Sequence, residues 1–76
     1  MSKEIVWSLD TIRSKIRRIL EDARGYNLSY LRIEKLRVEG DNLIVEGRGR
    51  EFFRPEFKFK VVLKNTNLNL VEYEGG

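Results

Sequence analysis

The spacing of apolar residues changes character once along this chain. Between residues 9 and 23 they recur at steps of three and four; from residue 30 onward they alternate. Leu9, Ile12, Ile16, Ile19, Leu20 and Ala23 fall on one stripe at 3.6 residues per turn. That stripe predicts a helix over residues 9–24, roughly 24 Å long at 1.5 Å per residue. Ser8 suits the N-cap, because its hydroxyl can accept from the free N–H groups of the first turn. Trp7 and Ile12 are spaced as a hydrophobic staple, and Asp10 lies where the helix dipole favours an anion. Gly25 is placed to end the helix, with Tyr26 folding back on Leu20. Ile5, Val6 and Trp7 read as a lead-in to the cap rather than a strand. A helix apolar along one stripe is not stable alone and needs a sheet to cover it.

The alternating part predicts a loop at residues 26–29 and four strands, over residues 30–39, 43–53, 57–64 and 68–73. In the first, Leu31 and Ile33 alternate with Arg32 and Glu34, and Leu36 and Val38 then continue out of phase. A β-bulge near Glu34 and Lys35 restores the phase and bends the strand. Gly40, Asp41 and Asn42 form a turn. Taken as a two-residue turn at Asp41 and Asn42, it sets Val38 opposite Val45, Leu36 opposite Gly47 and Arg37 opposite Glu46. Gly47 and Gly49 share the Leu43–Val45 side, which faces the helix. They predict a sheet that curls around the helix, with large side chains of the next strand filling the space. A phosphate-cradling glycine loop needs its glycines between a strand and a helix N-terminus, and these fall inside a strand.

Arg54, Pro55 and Glu56 are expected to turn the chain, since proline does not suit a central strand. That turn sets Phe53 opposite Phe57 on the inside. On the outside it brings Phe52 near Lys58, Arg50 near Lys60 and Arg48 near Val62. The third strand alternates cleanly, with Phe57, Phe59, Val61 and Leu63 inward and Lys58, Lys60, Val62 and Lys64 outward. After a turn at residues 65–67, Leu68 and Leu70 are expected inward, and Asn69, Val71 and Tyr73 outward. Short connections make consecutive strands antiparallel neighbours. The expected fold is therefore a single α+β domain over residues 1–76. It has two layers, one N-terminal helix packed on a curved four-stranded antiparallel meander sheet (α-β-β-β-β). This element order resembles, in outline, that of cystatin-like and PepSY-like domains. No motif of either family occurs, so the likeness implies nothing about function.

Composition narrows the chemistry. With no cysteine and no histidine among 76 residues, disulfides, thiolate chemistry and imidazole bases are excluded, and zinc would have only carboxylates as side-chain ligands. No pair of carboxylates is spaced to share a recessed surface, so the expectation is no enzyme, no cofactor and no metal. The chain's first residues, MSKEIVWS, lack the apolar run of a signal peptide, and no segment is long and apolar enough to span a bilayer. A cytoplasmic location with no membrane partner is expected. A charged fraction of 36% with one methionine suits the surface of a thermophile's protein. The net charge of +3 is mildly basic. Gly75–Gly76 resembles the diglycine tail of ubiquitin-like modifiers. Their β-grasp fold opens with a hairpin before its helix, however, and this chain does not, so a polar, flexible terminus is expected.

What remains is surface. One helix covers one side of a four-stranded layer and leaves the other open. The candidate binding face there comprises Arg48, Arg50, Phe52, Lys58, Lys60, Val62, Val71 and Tyr73. Basic residues set opposite one another need neighbouring acids or an anionic partner. A second candidate is the helix flank of Arg13, Arg17 and Arg24, though acids such as Glu21 lie at pairing distance along the helix. Such a face also exists as ordinary solvated surface, with lysine and arginine stems lying over scattered apolar groups. The functional expectation is a small protein-interaction module, either with another protein or as a homodimer through the open face or an edge strand. The alternative is a nucleic-acid binder that uses the basic sheet face.

Overall fold

The computed structural model describes residues 6–25 and 28–75, as one helix followed by a four-stranded antiparallel meander that does not close on itself. The helix α1 is Leu9–Arg24, and the strands are β1 Leu28–Glu39, β2 Asn42–Glu51, β3 Phe57–Lys64 and β4 Leu70–Gly75. The sheet order is β1-β2-β3-β4. The expected α+β architecture is thus the observed one.

Helix α1 starts where its cap chemistry puts it. Ser8 has extended backbone, and its Oγ accepts from the Thr11 N–H at 3.1 Å. Trp7 packs against the same core that holds Ile12, and its Nε1–H donates to the Asn65 carbonyl at 2.8 Å. That bond ties the start of the helix to the β3–β4 turn. At the other end the Gly25 N–H donates to Glu21 O at 2.7 Å. Gly25 has φ 105 and ψ 173, a region open essentially only to glycine and different from the left-handed helical cap expected. The proposed Tyr26–Leu20 contact, and Ile5 in the lead-in, lie outside the described residues.

Only part of the predicted stripe is buried. Ile12, Ile16, Ile19 and Leu20 pack into the core, whereas Leu9 and Ala23 are exposed. The buried cluster they belong to draws mainly on the two central strands, with Leu43 and Val45 from β2 and Phe57, Phe59, Val61 and Leu63 from β3, together with Leu28 at the start of β1 and Leu68 before β4. The inner side chains of β1, namely Leu31, Ile33, Leu36 and Val38, are only half-buried. Edge position accounts for this, since β1 has a neighbouring strand on one side only.

The expected bulge in β1 is present, with Ile33 opposite Gly47 and Lys35 opposite Glu46, so Glu34 is the extra residue. The expected hairpin register is not. Val38 pairs with Leu43, Leu36 with Val45 and Arg37 with Ile44. Gly40 and Asp41 are therefore the two turn residues, rather than Asp41 and Asn42. Gly40 has φ 60, and a tight hairpin turn favours glycine at its first central position. Strand β1 also begins two residues earlier than expected, at Leu28, inside the predicted loop.

The glycine slot in β2 is as expected. Gly49 lies opposite Phe57 and Gly47 opposite Phe59. A Cβ on Gly47 would collide with the Arg32 carbonyl oxygen and come within 2.9 Å of the Phe59 ring. A Cβ on Gly49 would stand 2.9 Å from the Phe57 ring, with the nearest backbone atom at 3.4 Å. The two rings occupy space that any other residue of β2 would fill, and their centroids lie 6.4 Å apart in a tilted pair. Backbone cannot yield as a ring edge can. Gly47→Ala is therefore expected to lower the unfolding free energy by about 3 kcal/mol, and Gly49→Ala by about 1 kcal/mol. Urea denaturation followed by circular dichroism measures both.

Candidate functional site

The outer face of the sheet is built in rows by the observed register. Arg32, Arg48 and Lys58 lie directly opposite one another across β1, β2 and β3. The next row alternates in sign across all four strands, as Lys35, Glu46, Lys60 and Glu74. The row after it reads Arg37, Ile44, Val62 and Glu72. Two rows are thus balanced and one is not. In the unbalanced row Arg48 is held by Glu34 at 3.3 Å and by Glu56 at 3.1 Å. Arg37 donates from Nε to Glu39 at 2.8 Å and lies 3.7 Å from Glu46.

The residues expected on this face divide accordingly. Arg48, Lys58 and Lys60 are on it. Val62 points to it but is only 6% exposed, so it offers almost no apolar contact area. Tyr73 is not on it: it pairs with Val61 on the helix side and packs against the core. A register shift between Val62 and Leu63 causes this change, because it leaves Val71 as an extra residue and reverses the phase of β4. Val71 is exposed at that bulge, and Leu70, expected inward, is also exposed. Leu68 is buried but belongs to the turn before β4.

The largest difference lies at the β2–β3 connection. Strand β2 stops at Glu51, two residues short of the prediction, and Gly49 rather than Phe53 pairs with Phe57. The Arg54 N–H donates to Glu51 O at 3.2 Å, which closes a four-residue turn with Phe52 and Phe53 at its centre. Phe53 is therefore not inside. It is 99% exposed, and its φ is 65. That backbone conformation is required at the third position of a type II turn, where glycine or asparagine is usual. Phe52 is 58% exposed, and the two rings lie 6.5 Å apart. Arg50, opposite Tyr30, donates from Nε to the Arg54 carbonyl at 3.0 Å and braces the same turn.

Glu51 explains why the strand ends there. It is the one charged residue buried among those described, at 7% exposure. Its carboxylate lies 3.5 Å from Arg24 Nε and 3.7 Å from Arg54 Nε. The Arg24 guanidinium also sits over the Phe57 ring, 3.9 Å from its centroid. Arg24 is thus committed to the fold, and Arg17 pairs with Glu21 at 3.7 Å. Of the helix-flank trio, Arg13 is left on the exposed surface. A shallow recess of about 350 Å³ next to this anchor is lined by Ala23, Arg24, Glu51, Phe52 and Arg54.

Arg32, Arg54 and the outward Phe53 belong to this end of the molecule although the alternation of apolar and polar residues does not mark them. One signal was available: Phe52 and Phe53 are adjacent, so a regular strand cannot turn both inward. Residues 30–34 and 48–58 together carry five basic and three acidic side chains, so this end holds most of the chain's +3 charge. No group of acidic residues able to hold a metal ion occurs among the described residues, and none of their helices is long and apolar enough to cross a membrane. No protein-family model, curated protein or solved structure matches the chain.

A buried carboxylate that loses one partner is left uncompensated, whereas an exposed partner contributes little. Glu51→Ala is expected to cost about 1–3 kcal/mol of stability, and Arg54→Ala to be close to neutral. A double-mutant cycle of Arg24→Ala and Glu51→Ala, read by thermal unfolding, should give a coupling of about 1 kcal/mol.

Proposed function

We propose that this protein is a small non-enzymatic interaction module that engages another protein through the tip of its β2–β3 hairpin. The single observation behind this reading is Phe53. A phenylalanine in the left-handed region costs about 1–2 kcal/mol. At 99% exposure it recovers nothing from packing within its own chain. Strain at an exposed aromatic side chain is the expected mark of a residue kept for contact with something else. With Phe52 beside it and Arg50 and Arg54 flanking, the tip offers an aromatic anchor inside a basic rim. Aromatic and arginine side chains are the usual dominant contributors to protein interfaces. The open face itself contributes little apolar area, because Val62 is covered and Tyr73 faces the helix.

Phe53→Gly separates contact from structure. It should raise the unfolding free energy by about 0.5–1 kcal/mol, because glycine adopts this backbone without strain. It should also abolish capture of the partner from an extract of the source cells, with Phe52→Ser weakening capture. Equal capture by the wild-type chain and Phe53→Gly would count against the tip.

One observation favours a second reading. The like-charged row of Arg32, Arg48 and Lys58 lies on the same side as Arg50 and Tyr30, and it suits the phosphate backbone of a single-stranded nucleic acid, with bases stacking on the exposed phenylalanines. This reading expects the logarithm of oligonucleotide affinity to fall with the logarithm of salt by about 0.7 per phosphate contact. Lys58→Glu should flatten that slope. No change in fluorescence anisotropy of a labelled oligonucleotide at low salt would remove this reading.

A further inference from the structure

Strand β1 is the longest strand and lies at the edge of the sheet. Among the described residues no strand pairs with its outer side. A long edge with half-exposed aliphatic side chains invites pairing with another chain. We infer that the β1 edge is a self-association surface, pairing antiparallel with β1 of a second copy about a two-fold axis at the Glu34 bulge.

The argument for a second copy comes from the sequence of the edge itself. Because Glu34 is an extra residue, Leu31 and Ile33 share the inner face with Leu36 and Val38, although their spacing is out of phase. A regular strand meets both halves only by leaving one β1 residue unpaired at the bulge, as β2 does between Gly47 and Glu46. A second β1 pairs with both halves residue for residue, provided that the two bulges meet. With Glu34 of one copy beside Lys35 of the other, Ile33 stands opposite Leu36 and Leu31 opposite Val38, each twice. On the outer face the same register sets Tyr30 opposite Glu39, a donor facing an acceptor. The Glu34–Lys35 pairs next to the axis are of opposite charge, with Glu34 shared between Lys35 of the other copy and Arg48 of its own chain at 3.3 Å. Registers shifted by two residues either way lose both pairings and form one aliphatic pairing in their place, Ile33 with Val38 or Leu31 with Leu36. The one unfavourable match is Arg32 opposite Arg37, and Arg37 already has Glu39 at 2.8 Å and Glu46 at 3.7 Å. A bulge normally protects an edge from pairing. Here a copy that carries the same irregularity at the same place meets it without leaving a residue unpaired. The resulting eight-stranded sheet also brings the half-exposed β1 aliphatics of both copies together.

This surface is distinct from the hairpin tip, so the two proposals fail separately. Sedimentation equilibrium of the wild-type chain should show a concentration-dependent rise from 9.0 kDa to twice that mass, unchanged by Phe53→Gly. Ile33→Lys should hold the chain at the monomer mass, with circular dichroism reporting whether it folds. The natural absence of cysteine permits a milder test that does not depend on that variant. Lys35→Cys alters an exposed residue beside the axis, within disulfide reach of its copy. It should form a covalent dimer under mild oxidation roughly tenfold or more faster than Ser14→Cys on the exposed helix surface. A wild-type mass that stays at 9.0 kDa up to about 1 mM protein overturns the proposal. So does a dimer in which Lys35→Cys cross-links no faster than Ser14→Cys.

Discussion

Two phenylalanine rings lying over two glycines set the shape of this molecule. Phe57 and Phe59 occupy the room that side chains at Gly49 and Gly47 would need, so the sheet closes down on itself beneath α1. The consequences run outward from there. The Phe57 ring provides the platform for Arg24 at the last turn of the helix. Arg24 in turn holds Glu51, which fixes the last residue of β2. A strand that ends at Glu51 must turn through Phe52 and Phe53, and neither ring can then reach the core. The exposed aromatic tip is in this sense the far end of a packing decision made at the glycines.

The chain has two non-glycine residues with positive φ among those described, and they contrast. Leu68 has φ 60, but its side chain is buried in the core, and its N–H donates to Lys64 O at 2.7 Å. Burial of a leucine is worth about 1.5–3 kcal/mol, enough to offset its backbone strain. Phe53 has the same backbone conformation and no burial to set against it. The same geometry is a structural device at one position and an unbalanced cost at the other. That difference, rather than exposure alone, is why the hairpin tip stands out from the charged face behind it.

Hydrophobic pattern determines which face a residue joins far better than which residue it meets. The inward set Leu43, Val45, Phe57, Phe59, Val61 and Leu63, the bulge at Glu34 and the glycine slot were all readable, because each follows from the two-residue period of a strand or its interruption. The register was not. The β1–β2 pairing differs from the expected one by two residues and the β2–β3 pairing by four. Even-numbered slips leave every side chain on its own face, so alternation cannot detect them. Turn chemistry decides instead, through Gly40 in the first hairpin and the Glu51 anchor in the second. Tyr73 was placed on the wrong face for the opposite reason. An irregularity in β4 changes its phase by one; the adjacent Leu70 and Val71 mark the change as Glu34 and Lys35 do in β1, but the strand is too short to show on which side of it the chain regains its alternation.

The single tryptophan stands at a useful place in this arrangement. Trp7 precedes the helix, yet its indole N–H is bound to Asn65, fifty-eight residues later in the chain. The helix cap and the β3–β4 turn therefore share one optical reporter. Its emission senses whether the amino-terminal layer is seated on the sheet, while far-ultraviolet dichroism senses the strands. Disagreement between the two signals during denaturation would expose a species in which the sheet persists with its helix lifted away.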